Sequence, residues 1–254
     1  FNQSRHDGGN KNVLGYIGPW KDEDIVDITL TRPRAADFIC ENLFRFFAYE
    51  NPDIALVQSL SQILTSNGWE LRPVIETILK SEAMFSGAAL RERVKAPTEY
   101  MIGFMRETGL EISADDQYDH LSELGHLVGL PPNVKGWPEG AFWLGEASMA
   151  YRSQAINGII EDRAYQQGVN LDHLLPTAGL RAGAATIAHL LRVLDIDLDS
   201  DAQFHTLVEY MNNNWTGAAT YTVLFNGDSQ IHVNHKLRGA LFMLAFGIPD
   251  YHTH

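Results

Sequence analysis

The apolar positions of this chain recur with helical spacing in one segment after another. In "PRAADFICENLFRFFAY", residues 33–49, Ala36, Ile39, Leu43, Phe46 and Phe47 share one face, with Thr31 placed as N-cap and Pro33 in the first turn. Residues 54–65 repeat the pattern through Leu56, Val57, Leu60, Ile63 and Leu64. Residues 70–80 do so through Leu71, Val74, Ile75 and Ile78, and Pro73 fits only in a first turn, which starts that helix near Glu70. Further helices are predicted over 97–108, 115–128, 147–165, 181–194, 201–213 and 229–246. The 147–165 segment is more polar than the others, and the last begins at Asp228 or Ser229, after the Asn226-Gly227 turn.

No alternating strand and no βαβ rhythm stands out; "TYTVLF" at 220–225 is the one β-like run. The prediction is therefore an all-α, irregular multi-helix domain of about eight to ten helices with long ordered loops, spanning 1–254 as a single domain. "DIDLDSDAQFH" alternates Asp195, Asp197, Asp199 and Asp201 like a calcium loop, but Ser200 stands where such a loop needs Gly and Thr206 where it needs Glu. Ser200 with Gln203 reads better as a capping box for the next helix.

One segment breaks the helical rhythm. "GLPPNVKGWPEGAFWLGEASM", residues 129–149, sets Trp137 and Trp143 among prolines and glycines. Consecutive prolines hold the backbone extended, glycines admit turns that other residues resist, and Asn133 can bond its own backbone. Two readings follow. The loop folds over the helices and buries its tryptophans, or it is a rigid platform whose Asn133, Trp137 and Trp143 meet a glycan or a protein partner. Burial is expected for Trp137, whereas Gly140 and Gly145 bracket Trp143 and favour it as the exposed face.

Charge and composition narrow the choices. Lys and Arg number 19 against 32 Asp and Glu, a formal net charge of −13. Such a surface repels phosphate backbones and anionic membranes, so a nucleic-acid partner is not expected. No apolar run reaches the roughly 18 residues of a transmembrane segment. Cys40 is the sole cysteine and lies on an apolar helix face, which makes it a small core residue. The chain opens without Met in a polar, turn-rich stretch, "FNQSRHDGGNKNVLG", which carries no signal peptide pattern and is expected to be the C-terminal part of a longer or processed chain.

Candidate chemistry centres on "RHDGGNK". His6 and Asp7 are adjacent, glycines give room, and Lys11 follows, so the three are expected to converge on one pocket. A His–Asp pair can run acid–base chemistry or bind a divalent metal, with His232 and His235, three apart on one helix face, as further candidate ligands; His120 and His126 are also at hand. Alternatively His6 and Asp7 only pin a turn. Glu99 suits the first turn of its helix and Lys95 is placed to pair with it, while Arg45, Arg106 and Arg238 on apolar helices read as buried or half-buried ion-pair partners. No nucleophile elbow, phosphate loop or dinucleotide fingerprint occurs.

Several blocks, in order, resemble a large bacterial family catalogued as domain of unknown function eighteen-hundred. "LPPNVKGWPEGAFWL" resembles its Pro-Pro-Asn-Val-x-Gly-Trp-Pro-x-Gly-x-x-Trp signature, and "RHDGGNKNVLG" its His-Asp-x-Gly-x-Lys-x-x-Leu-Gly motif. "RPRAADFICENLFRFF" is similar to its Pro-x-x-Ala-x-Phe-Ile helix, with Asn42 where Lys is commoner. "ILKSEAMF" with "RVKAPTEYMIGFMR" resembles its Ser-x-x-Phe and Lys-Ser-Pro-x-Glu segments, Ala96 replacing Ser, and "KLRGALFMLAFGIPDY" its closing block. The motifs run to about residue 155 and resume near 236. The resemblance implies a mostly helical, exported protein, periplasmic or extracellular, and these are the blocks of the family's C-terminal half. It implies no reaction. The expectation is a binding or assembly component whose partner is a protein or its own N-terminal part, or a glycan. The rival is a hydrolase or other enzyme, metal-dependent or not, built on His6, Asp7 and Lys11.

Overall fold

The computed structural model describes residues 2–166, 171–176, 183–212 and 230–253. The "TYTVLF" run and the Asn226-Gly227 turn lie outside the described residues. Ten α-helices and one short hairpin form the described structure, which bears out the all-α prediction. The chain divides into two compact units, residues 1–93 and 94–254, each with its own apolar core.

The first unit opens on the hairpin, β1 (Lys11–Val13) paired antiparallel with β2 (Tyr16–Gly18). Leu14 and Gly15 turn the chain with φ of 52° and 93°, the left-handed pair of a type I′ turn, and the Gly15 amide donates to Asn12 Oδ1 at 3.1 Å. Helix α1 (Asp22–Leu30) follows, with Asp22, Glu23 and Asp24 in its first turn, where the helix dipole favours carboxylates. Neither element was expected from the hydrophobic pattern.

Helices α2 (Pro33–Phe47), α3 (Ile54–Ser66) and α4 (Leu71–Lys80) pack on one another. Ala36, Cys40 and Phe44 of α2, Val57, Leu60 and Leu64 of α3, and Val74 and Ile78 of α4 form the core. Thr31, expected as the N-cap of α2, instead ends α1, its hydroxyl donating to the Ile28 carbonyl at 2.7 Å. Arg45, expected to be buried or half-buried, is exposed and lies 4.0 Å from Glu41 at the surface.

In the second unit, α5 (Pro97–Thr108) ends at Gly109, whose φ of 68° suits a glycine C-cap. Helix α6 (Ala114–Glu123) is capped by Ser113, whose Oγ accepts from the Asp116 amide. It stops short of the expected residue 128 because Gly125 takes φ 72°. Helix α7 (Glu146–Gln166) packs against α5 and α10 (Gln230–Gly247), and α8 (Gly183–Val193) against α9 (Asp201–Asn212), which also meets α10. Ser200 Oγ accepts from the Gln203 amide and Gln203 Oε1 from the Asp199 amide, so the polar run before α9 works as its cap. The last described residues return to the start of the unit: Val94 bridges Thr253, and the Lys95 amide donates to the His252 carbonyl at 2.8 Å. No helix among the described residues is long and apolar enough to cross a membrane.

Cys40 is fully enclosed, and burial raises its thiol pKa, with the Ser61 hydrogen bond opposing and the Asp37 charge adding. A thiol held protonated and out of reach does not react. Cys40 is therefore expected to resist a disulfide reagent in native buffer and to react once denaturant opens the first unit. Fast native labelling would show that this core opens readily.

Candidate functional site

The His6, Asp7 and Lys11 constellation forms a closed turn in the first unit. Asp7 Oδ1 accepts from the Gly9 amide at 2.8 Å, and the Lys11 ammonium donates to the Asp7 carbonyl and, at 3.1 Å, to the Gly9 carbonyl. The Asp7 side chain is exposed, while His6 and Lys11 are half-buried. A Cβ on Gly9 would lie 3.1 Å from Asp7 Oδ1, so the glycine is what lets the carboxylate fold back. The turn thus brings Asp7 and Lys11 together through backbone carbonyls. The His232 side chain lies outside the described residues; His235 is half-buried on α10, in the second unit. Among the described residues no group of three or more His, Cys, Asp or Glu is placed to hold a metal ion.

The Trp loop is built from its breakers. Gly125, Gly129, Gly136 and Gly140 have φ of 72°, 83°, 95° and 57°, each in the left-handed region that favours glycine. Asn133 is exposed and closes a local turn, its Oδ1 accepting from the Lys135 amide at 2.8 Å. The chain then enters a short 3-10 turn, Gly140–Leu144, that leads directly into α7.

Within that turn Trp143 is 3% exposed, so the expectation that it offers the open face is corrected. Gly140 and Gly145 bracket a backbone turn rather than open space, and the ring goes inward against His126, 5.5 Å between centroids. Ser148 Oγ locks the turn by donating to the Trp143 carbonyl at 2.8 Å. Trp137 is half-buried and meets the same imidazole edge-to-face at 5.1 Å. Its indole N–H is buried without an acceptor among the described residues. His126 is the pin for both rings, and its Nδ1 faces the Thr98 amide, 3.3 Å away, at the start of α5.

Beside Thr98 lies a buried polar cluster that the sequence reading did not assemble. Arg152 of α7 is fully enclosed. Its guanidinium covers the Tyr100 ring at 4.6 Å, donates to the Lys95 carbonyl, and lies 3.3 Å from His252 Nδ1. His252 stacks on Tyr100 at 5.1 Å. The Lys95 ammonium sits 4.0 Å over the Tyr251 ring, and the Tyr251 hydroxyl donates to Glu107 at 2.7 Å. Burial lowers the Arg152 pKa to about 10, against the opposing pull of Tyr100 and Glu99, so it stays charged at neutral pH. Tyr251 is pushed far above its ordinary value by burial first and the Glu107 charge second.

Buried or half-buried cations were expected at Arg45, Arg106 and Arg238; Arg238 is half-buried as expected, whereas Arg106, like Arg45, is exposed. The signal for Arg152 was present: it precedes Ala155, Ile156, Ile159 and Ile160 on the buried stripe of α7. Glu99 does serve the start of α5, its carboxylate accepting from the Ala96 amide at 2.7 Å. Ala96 has no side-chain oxygen to return the bond, so only half of a capping box exists. Ala96→Ser is expected to complete it and stabilise the protein by about 1 kcal/mol, read from chemical denaturation.

The protonation state of His252 follows from its neighbours. The Phe246 carbonyl, 3.0 Å from Nε2, can only accept, so Nε2 carries the proton; the guanidinium can only donate, so Nδ1 is bare. Burial is the main cause that lowers the His252 pKa from its ordinary 6.5, with the Phe246 bond opposing and Arg152 and Lys95 adding. Burial likewise lowers His126, with Glu99 opposing. The unfolded chain therefore takes up these protons first as pH falls. Stability from the two imidazoles is complete above 6.5 and is lost as pH drops below it toward the folded-state values. The melting temperature is expected to fall across this window and the fall to be shallower in His252→Gln, whose amide keeps one donor and one acceptor. Equal slopes would remove His252 from this account. Trp143→Ala is expected to cost about 3–5 kcal/mol in denaturant unfolding, and Trp137→Phe much less, because it removes an unsatisfied donor.

No curated protein and no solved structure matches the chain. The family model described as protein of unknown function (DUF1800) matches residues 1–253. The chain belongs to this family.

Proposed function

We propose that the protein is a binding or assembly component, working outside the cytoplasm, whose contact surface is the loop over residues 128–144. One observation carries the reading. Val128, Leu130, Val134 and Phe142 are 75%, 65%, 105% and 64% exposed on the same loop whose Trp143 is buried. A segment that spends glycines, prolines and a buried tryptophan on a fixed shape, yet turns its aliphatic side chains to water, is costly for a structural connector. It is well suited to association, because a loop already ordered loses little further entropy on docking.

The exposed side chains favour a protein occupant. Glycan recognition draws on exposed aromatic faces, but Trp143 is enclosed and Trp137 half-buried, so Phe142 is the exposed ring. Leu130, Val134 and Val128 offer aliphatic surface suited to an apolar patch on another polypeptide, including a preceding part of the same protein. The enzyme alternative at His6, Asp7 and Lys11 draws less support, since Asp7 Oδ1 and the Lys11 ammonium are engaged in holding their own turn.

The test is a pair of surface substitutions, Leu130→Asp and Val134→Asp, in one chain. Both residues are exposed, so the melting temperature is expected to stay within about 2 °C, a shift well under 1 kcal/mol. Association with a co-purifying protein partner is expected to weaken at least tenfold by sedimentation or interferometry. Unchanged association would rule out the loop as the contact surface.

A further inference from the structure

Helix α5 starts without a cap of its own. Ala96 holds the N-cap position and has no side-chain oxygen to offer the first amides of the helix. Glu99 meets the Ala96 amide, but the Thr98 amide, in the same first turn, is met by an imidazole, His126 Nδ1 at 3.3 Å. The Thr98 hydroxyl faces the same nitrogen. The end of α6 delivers His126 to this place. The Gly125 amide donates to the Ser122 carbonyl at 3.0 Å and the His126 amide to the Leu121 carbonyl at 2.9 Å, the paired bonds of a Schellman turn, with Gly125 at φ 72°. The imidazole therefore stands in for a cap side chain, and its ring also meets Trp137 and Trp143 of the loop.

This role requires a neutral ring. A backbone amide can only donate, so Nδ1 is bare and Nε2 carries the proton. A proton on Nδ1 sets a donor against the Thr98 amide and puts a cation at a helix N-terminus, where the dipole already presents positive charge. The Thr98 hydroxyl can turn to accept from the new N–H, but the amide cannot. Among the described residues, the charge that acts on the ring is Glu99 of α5, which favours protonation and is outweighed by burial; the loop meets the ring with two uncharged indoles.

We infer that acid releases the loop: neutral His126 locks residues 128–144 onto the start of α5, and its protonation undoes the lock. A released loop takes up the proton near the ordinary value of 6.5 and the locked loop only at lower pH, so a fall in pH below 6.5 draws the equilibrium toward release. Release removes the fixed shape that presents Leu130, Val134 and Phe142. On the reading that these side chains form the contact surface, association is therefore strong at neutral pH and weak in acid; that step rests on the contact-surface reading, whereas the release does not.

Hydrogen exchange on the full chain, without a partner, tests the release. Between about pH 7.5 and about pH 5.5, amide protection over residues 128–144 is expected to fall about tenfold after correction for intrinsic exchange, while α2 and α3 keep theirs. The midpoint is expected to coincide with the NMR titration of the His126 ring, below 6.5. His126→Asn, whose Oδ1 accepts from the Thr98 amide without titrating, is expected to abolish the pH dependence. His252→Gln is expected to keep it, which separates the loop from the second buried imidazole. The inference is overturned if loop protection is the same at both pH values, if His126 titrates at or above 6.5, or if His126→Asn loosens with the midpoint of the parent. Release at the expected midpoint with partner association unaltered by pH would uphold the release and remove the contact-surface reading.

Discussion

The second unit depends on one guanidinium sealed from solvent. Arg152 reaches from the second turn of the longest described helix to the Lys95 carbonyl and to His252, residues near the two ends of the unit. A cation in such a place is costly to desolvate and stabilises only when its donors are well used. Here the two terminal nitrogens meet a backbone carbonyl and a bare imidazole nitrogen and the flat face is covered by Tyr100, while the buried Nε–H has no acceptor among the described residues. The start of α5, α7 and the final turn are thereby fixed to one planar group. The same geometry explains the enclosed imidazole, because a protonated His252 would turn a donor toward a donor.

The loop inherits its shape from that arrangement. Thr98 and Glu99 belong to the first turn of α5, next to Lys95 and Tyr100. Thr98 fixes His126, His126 meets Trp137 and Trp143, and Trp143 sits at the entrance to α7, the helix that carries Arg152. Buried cluster and loop are therefore one connected structure, with aromatic and charged contacts inside and aliphatic side chains outside. Rigidity at the surface is supplied by groups that never reach it.

The helical class and most helix positions were legible because amphipathic periodicity is a local property. What failed was also physical. Helix α1 buries Ile28 alone, so its apolar face is thin, and its first turn of carboxylates reads as solvated loop. The hairpin has strands of three residues and a Leu14-Gly15 turn, without the Asn-Gly signal that marks such turns. In the Trp loop the glycines announced a fixed shape, but which indole turns inward depends on His126, and that contact is tertiary. Arg152 could have been found by position, since it shares a face with buried isoleucines, yet its partner His252 is a hundred residues away and periodicity carries no information about such pairs.

Motif density in this chain therefore follows demands on the backbone as much as chemistry. The Lys95–Glu99 block supplies a helix start and an ammonium over Tyr251, the closing block supplies Tyr251 itself, and the His6 block ties a glycine turn. Each of these requires a particular residue for shape: a glycine where φ is positive or a carboxylate folds back, a cation where an aromatic face is buried, a carboxylate where amides are orphaned. On that division, the motif residues beneath the loop set how firmly its exposed side chains are held.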